Sequence, residues 1–433
     1  MHLVFVNQYY PPDAAPTGVM LEALAERLAS DGHRVTVVTS AGGYSRAAGS
    51  PRAATTPASS GVQVVRIRGS SFGRATFLGK LADYLSFYSG VAWALVALWP
   101  QPDRIVALTT PPYLSVLARV LSKIRGADHA HWVMDLYPDV MVAHGMMREG
   151  GVPHRALAGL GRWGFGGRRC GVVATLGPDM AGAVGRYVGG IGRVPVEWVP
   201  LWGSGSSATG AGSRRDVGVR PPDLRGARGW KDDELVVMYS GNMGLGHRFG
   251  EIFAAAQALQ DRPLRFAFFG GGKRRAEVEA FVRENPRCQV ELHDYAPAGN
   301  LHAHLRSADV HLVSLAPEWT GTMIPSKLQG IFAVGRPVVF IGNGDSSIGR
   351  WVAESGGGWL VRPGDVPALQ AALEEASDPM GRRRRGEAAA SYARSHFDQD
   401  TNTRRLATLF ATRANRSLEI TESVPKVDQG AVP

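Results

Sequence analysis

The chain has 433 residues, of which 44% are hydrophobic and 20% charged, and it carries a net charge of +10. That length exceeds one ordinary domain, so two are expected. The two cysteines, Cys170 and Cys288, form no motif; they exclude a disulfide framework and a cysteine-based zinc site and suit a reducing cytoplasm.

The N-terminus runs straight into an apolar strand, His2–Asn7, with no charged leader or cleavage site of a signal peptide. A Pro-rich loop over 8–16 follows. Thr17 is placed to cap a helix to about Asp31, with Met20, Leu21, Leu24 and Leu28 at helical spacing and Gly32 as its stop. Arg34–Thr39 is the second strand, so the opening is a βαβ unit with a right-handed crossover. The G-x-G-x-x-G fingerprint of a dinucleotide site is absent; only Thr17-Gly18 stands there. Residues 41–60, rich in Ala, Gly, Ser and Pro, read as a mobile loop. Val62–Ile67 is a strand with basic residues Arg66 and Arg68 beside it. From Tyr84 to Pro102 the chain carries no charge, but Ser86, Ser89, Gly90 and Pro100 make it a poor membrane span. It reads as a helix that packs in the core, or one that rests on a membrane interface through Trp93 and Trp99.

Arg104–Leu108 and His129–Leu136 are the next strands, with a helix ending near Arg125 between them. Asp135 closes the second of these, where a carboxylate before a loop is either a site residue or a turn former. Cys170–Thr175 and Val194–Val199 bring the first half to seven strands. Residues 203–233 form a linker or surface excursion rich in Gly, Ser and Arg. A second α/β pattern then begins: strands at Leu235–Tyr239, Leu264–Phe269, Gln289–His293, Asp309–Leu315, Val338–Ile341 and Trp359–Val361, separated by helices. Alternation of this kind predicts parallel sheets covered on both faces. A long helix from about Gly386 to Phe410 has no strand after it and is placed to return to the first domain. The boundaries predicted are 1–202 for the first domain, 234–380 for the second, 381–414 for the crossover and 415–433 for a polar, disordered tail.

Three glycine-bearing loops follow three strand ends in the second half, at 240–248, 270–273 and 318–325. In a parallel sheet all three lie on one edge, where ligands bind. They carry Gly241, Asn242, His247 and Arg248; Gly271 and Lys273; and Glu318 and Thr322, followed by Ser326 and Lys327. Glycine lets backbone approach a ligand closely, and the cations and hydroxyl suit a phosphate chain. Pro325 is expected in the first turn of a helix closed by Gly335. The stretch by itself also fits an ordinary βαβ unit with a solvated lysine. No P-loop pattern is present. Nucleic acid is disfavoured, since no helix-turn-helix, zinc-finger or RNP pattern occurs, and Arg382–Arg385 and Lys273–Arg275 read as solvated helix faces.

With NQYYPPDAAPTG near the start, MDLYPD at 134–139, VPLW at 199–202, YSGNMGLGH at 239–247, FFGGG at 268–272, ADVHLVSL at 308–315 and IPSKLQGIFAVGRPVV at 324–339, the chain resembles the family 4 glycosyltransferases. The likeness spans residues 2 to about 410 and is closest to the branch that builds bacterial polysaccharides and lipid-linked sugars. It implies the GT-B architecture, two Rossmann-like domains facing a cleft. It further implies retaining transfer of a sugar from a nucleotide donor, a UDP-sugar, to a saccharide or polyprenyl-linked acceptor. No cofactor and no metal are implied. The protein would be cytoplasmic, or peripheral on the inner face of the plasma membrane. Gly18 matches the glycine of the first loop, near diphosphate and acceptor. Asp135 matches the polar position beside the donor sugar. Arg248 and Lys327 become the cations on the leaving diphosphate, with Asn242 where many members carry arginine. One departure stands out: the two glutamates that many members space seven residues apart are replaced by Thr322 and Gly330, so the ribose ligand is unassigned, with Glu318 a possible substitute or a solvated loop residue. A nucleotide-sugar 2-epimerase of similar fold, or a non-catalytic nucleotide binder, are the alternatives.

Overall fold

The computed structural model describes residues 1–13, 15–42, 61–70, 77–189, 194–203, 224–296 and 300–413. Most of the 41–60 loop, most of the 203–233 excursion and the 415–433 tail lie outside the described residues.

Two parallel sheets organise the chain. The first contains β1 (His2–Val6), β2 (Arg34–Ser40), β3 (Val62–Ile67), β4 (Arg104–Ala107), β5 (Asp128–Trp132), β6 (Cys170–Thr175) and β7 (Val196–Trp198), in the order β3-β2-β1-β4-β5-β6-β7. The second contains β8 (Leu235–Ser240), β9 (Leu264–Phe269), β10 (Val290–His293), β11 (Val310–Ser314), β12 (Val338–Ile341) and β13 (Gly358–Val361), in the order β10-β9-β8-β11-β12-β13. β1, β4, β11 and β12 are buried throughout, as expected when helices cover both faces. Strand order reverses between β1 and β4, and between β8 and β11. At such a point the following helices pass to opposite faces and leave a crevice above the strand ends. The loops after β8 and β11 therefore flank the second sheet's crevice.

Some predicted elements differ from those observed. The first helix is Pro16–Ser30, and no side chain caps it; Pro16 occupies its first turn and the Thr17 hydroxyl instead meets Asn7 Nδ2 at 3.5 Å. β5 stops at Trp132, so Asp135 stands three residues beyond it. The long C-terminal helix is two helices, Pro379–His396 and Gln399–Ala411, because Asp398 turns the chain and accepts from Thr401 N at 2.8 Å as a new N-cap. The first of the two packs on the helix Lys327–Ala333. The second returns to the first sheet, where the Phe410 ring lies 6.0 Å from Phe5 and 6.3 Å from Trp132. Buried Arg104 donates to Phe410 O at 2.6 Å and so anchors that return.

The two sheets meet at their carboxyl edges. Asp135 and Met323 form an antiparallel bridge, with Leu136 N donating to Thr322 O at 2.8 Å. Asp179 accepts from both the backbone N–H (3.1 Å) and the hydroxyl of Ser347. His144 sits edge-on to Trp319 at 4.6 Å.

Candidate active site

The site is built from the glycine loops upward. Gly270 has φ +129° and a Cβ there would lie 2.1 Å from Gly241 O. Gly272 has φ +132° and a Cβ there would lie 2.5 Å from Asn242 Oδ1 and 2.6 Å from Met243 O. The loop after β9 therefore packs directly on the loop after β8, which only glycine permits. Met243 N donates to Gly271 O at 2.7 Å and ties the two together. The third loop joins them: Ala316 N donates to Gly246 O at 2.8 Å, and Trp319 covers Gly246. All three predicted loops converge at the carboxyl edge of the second sheet.

Lys327 reaches into this junction. A Cβ at Gly241 would lie 3.0 Å from Lys327 Cε, so that glycine makes room for the lysine stem. The ammonium contacts the Tyr239 hydroxyl, Asn242 O at 3.4 Å and His247 Nε2 at 3.3 Å, and stands 3.7 Å from the Tyr239 ring centroid. The His247 tautomer follows from its other nitrogen. Nδ1 lies 2.7 Å from Ser314 O and must donate to that carbonyl, which leaves the Nε2 lone pair facing the ammonium. Burial, then the Lys327 charge, push His247 down to about 3, so the imidazole stays neutral. Burial likewise holds the Lys327 ammonium well below its ordinary value. Among the described residues no carboxylate forms an ion pair with it. A half-buried cation whose partners are all neutral attracts an anion.

The other predicted residues divide. Arg248 is half-buried, but its guanidinium is held by Glu251 at 2.5 Å, and Glu251 also accepts from Gly364 N at 2.8 Å. Its charge is thus already matched, and His247, not Arg248, is the neighbour of Lys327. Asn242, Lys273, Glu318 and Ser326 are exposed. Ser326 is the N-cap of Lys327–Ala333 but makes no side-chain cap bond. The helix begins there and not at Pro325, because the bridge between Met323 and Asp135 keeps the preceding chain extended. Thr322 is buried with its hydroxyl proton committed to Trp319 O at 2.9 Å, which leaves it only as an acceptor. Gly18 fits tightly under the first loop, where a Cβ would lie 3.1 Å from Tyr9 C and O. Lys327 and Gly241 are brought together with His247; Asp135 joins them from the opposite domain through its bridge to Met323, four residues before Lys327.

Asp135 lines a crevice with Thr109, Tyr113, Tyr137, Gly161 and Phe165. Thr109 Oγ1 accepts from the Asp135 and Met134 N–H groups at 3.1 and 3.2 Å, which fixes the loop beyond β5. Burial raises the Asp135 carboxyl to about 6. Tyr113, missed in the sequence, carries φ +65°, and its buried hydroxyl has no hydrogen-bond partner among the described residues. Strain of that kind concentrates at ligand sites. Tyr239, also missed, has no local signal, since at the end of a buried strand it reads as core.

Comparison with known proteins gives concordant results. Residues 234–378 match the family model described as glycosyl transferases group 1. The chain is similar to the putative colanic acid biosynthesis glycosyl transferase WcaI of Escherichia coli K12, 25% identical over 393 residues, 87% of this chain and 92% of that one. Its fold is similar to Anabaena Alr3699/HepE, solved in complex with UDP and glucose, with a TM-score of 0.66 at 16% identity over 94% of this chain and 98% of that one. It is also similar to WaaG, a glycosyltransferase involved in lipopolysaccharide biosynthesis, with a TM-score of 0.64 at 16% identity over 94% and 99% of the two chains.

Proposed function

We propose that the chain is a group 1 glycosyltransferase, and that with its GT-B architecture it moves a sugar from a UDP-sugar to a saccharide or polyprenyl-linked acceptor, with retention, in cell-surface polysaccharide biosynthesis. The observation that carries this reading is the Lys327 ammonium, held where three glycine loops meet by partners that are all neutral among the described residues. When the glycosyl bond breaks, negative charge builds on the departing diphosphate. A fixed cation facing that charge lowers the barrier, by about 3 kcal/mol for one good donor. The diphosphate would also bring negative charge to Lys327, so binding raises its depressed pKa towards the ordinary value. Exposed Ser326 and Asn242 at the rim, with the backbone of Gly241 and Gly271, are the remaining donor contacts. Exposed Lys273 and Glu318 are placed to reach the outer parts of the nucleotide, the base or ribose.

Asp135 and its crevice serve the transferred sugar. A carboxyl near 6 is ionised at neutral pH and accepts a hydrogen bond from a sugar hydroxyl. The apolar helix Phe77–Ala97 supports a membrane-facing acceptor. Phe87, Val91 and Leu95 bury its inner face, while Leu81, Leu85, Trp93 and Val96 form an outer stripe at helical spacing. Trp93 and Trp99 just beyond the helix are 77% and 80% exposed, and Arg66 and Arg68 lie beside them. No described helix is long and apolar enough to cross a membrane. Aromatic residues next to cations suit a peripheral contact with an anionic surface.

The test is a thermal-shift screen against UDP-, GDP- and ADP-sugars, followed by donor turnover with and without a lipid-linked acceptor. Stabilisation by UDP-sugars and acceptor-dependent release of UDP are expected. Conversion of the UDP-sugar without any acceptor would point to an epimerase, and binding without turnover to a non-catalytic protein.

A further inference from the structure

We propose that His129, His131 and Cys170 form a binding site for one soft d10 metal ion, Zn(II) or Cu(I), inside the first domain. The three residues are buried, and one ligand atom from each lies within 4.8 Å of the others. The sheet makes this juxtaposition. His129 and His131 are two apart on β5 and share a face, and the parallel register sets His129 opposite Cys170 on β6. Imidazole nitrogen and thiolate sulfur are the donors that Zn(II) and Cu(I) prefer, so one cysteine beside two histidines, brought together by the sheet and not by any motif, corrects the exclusion of cysteine-based zinc drawn from the sequence.

The second observation is independent of the cluster. His131 is 1% exposed, and among the described residues neither ring nitrogen makes a well-formed hydrogen bond, the Gly164 backbone being its one weak contact. Buried polar groups are nearly always paired, because leaving one bare costs on the order of a few kcal/mol. A metal ion satisfies one nitrogen by ligation. His129 is only loosely held, with Nδ1 3.2 Å from Ser122 Oγ and Nε2 3.3 Å from Gly166 O, so a small ring rotation frees a nitrogen. Ligands on a tetrahedral Zn(II) sit about 3.5 Å apart, so closure from the present spread needs side-chain rotations of about 1 Å. His131 also lines the Asp135 crevice.

Charge decides the class of ion. Arg104 lies close by, paired with Asp128 at 3.5 Å, and Arg119 is held by Trp163 O. On binding, the Cys170 S–H bond breaks, an S–metal bond forms, and the proton leaves to solvent with no change of oxidation state. The ligand set then carries one negative charge. It neutralises Cu(I) fully and leaves Zn(II) with a single positive charge, whereas a harder ion would want carboxylates that this cluster lacks.

The experiment uses the full chain, stripped with a chelator and then dialysed against Zn(II), or against Cu(I) under anaerobic reducing conditions. Elemental analysis after desalting should find about one equivalent of one of these ions, and the ion identifies which class the site takes. The loaded protein should melt several degrees above the stripped one, since an ion bound only to the folded state stabilises it. His131→Phe and Cys170→Ala should lose retention without lowering the melting temperature of the stripped protein by more than the wild-type shift. Co(II) loading should give a sulfur-to-metal charge-transfer band in the wild type that is absent from Cys170→Ala. Folded wild-type protein that retains neither ion overturns the proposal, as does equal retention by both variants.

Discussion

Replacing Lys327 by methionine keeps most of the stem beside Gly241 and removes only the charge. The two consequences have opposite signs. The ammonium is half-buried, meets Tyr239, Asn242 O and His247 among the described residues, and has its pKa depressed by burial. A lysine with a depressed folded pKa binds fewer protons in the folded than in the unfolded state between the two pKa values, so wild-type stability rises with pH through that window. Removing the charge removes this penalty, and unliganded Lys327→Met should melt no lower than wild type at pH 7. Catalysis moves the other way. Loss of one preorganised cation on the leaving diphosphate, worth about 3 kcal/mol, lowers kcat/KM by roughly a hundredfold. The UDP-induced thermal shift should shrink with it. In wild type, UDP affinity should also fall as pH rises through the depressed Lys327 pKa. The assays are differential scanning fluorimetry with and without UDP across pH, and initial rates of UDP release. A well-folded Lys327→Met protein with near wild-type kcat/KM and an intact UDP shift would refute the reasoning.

Three further outcomes are expected. Because Asp135 sits near 6, kcat/KM should decline as pH falls through about 6, and Asp135→Asn should lower the plateau and abolish that acid limb; an unchanged limb in the pH–rate profile would remove Asp135 from the reaction. Gly270→Ala forces a Cβ to within 2.1 Å of Gly241 O at φ +129°, so urea unfolding should show a loss of about 1–3 kcal/mol or more, with weakened UDP binding. Trp93→Ser with Trp99→Ser should reduce binding to anionic vesicles by roughly tenfold per tryptophan, at about 1.5 kcal/mol each, with little change in melting temperature; vesicle sedimentation that shows no difference would sink the membrane contact.

Much of this protein could be read from the sequence, and the reason is physical. Strands buried on both faces write themselves as apolar runs, and helices between them show 3.6-residue spacing, so both parallel sheets were legible with boundaries off by only a few residues. Glycines that must adopt positive φ, such as Gly270 and Gly272, are local requirements and announce the loops that need them. Lys327, next to a helix start at the edge of a sheet, belongs to the same local class. What only the tertiary structure decided are pairings between residues far apart in the chain. Arg248 and His247 are adjacent, yet packing gives one to Glu251 and the other to Lys327. The bridge from Asp135 to Met323 delays a helix that Pro325 alone would have begun, and β5–β6 register gathers two histidines and a cysteine that no motif connects. Sequence records what each residue prefers by itself; which charge meets which partner across a cleft depends on folded distances that no local preference encodes.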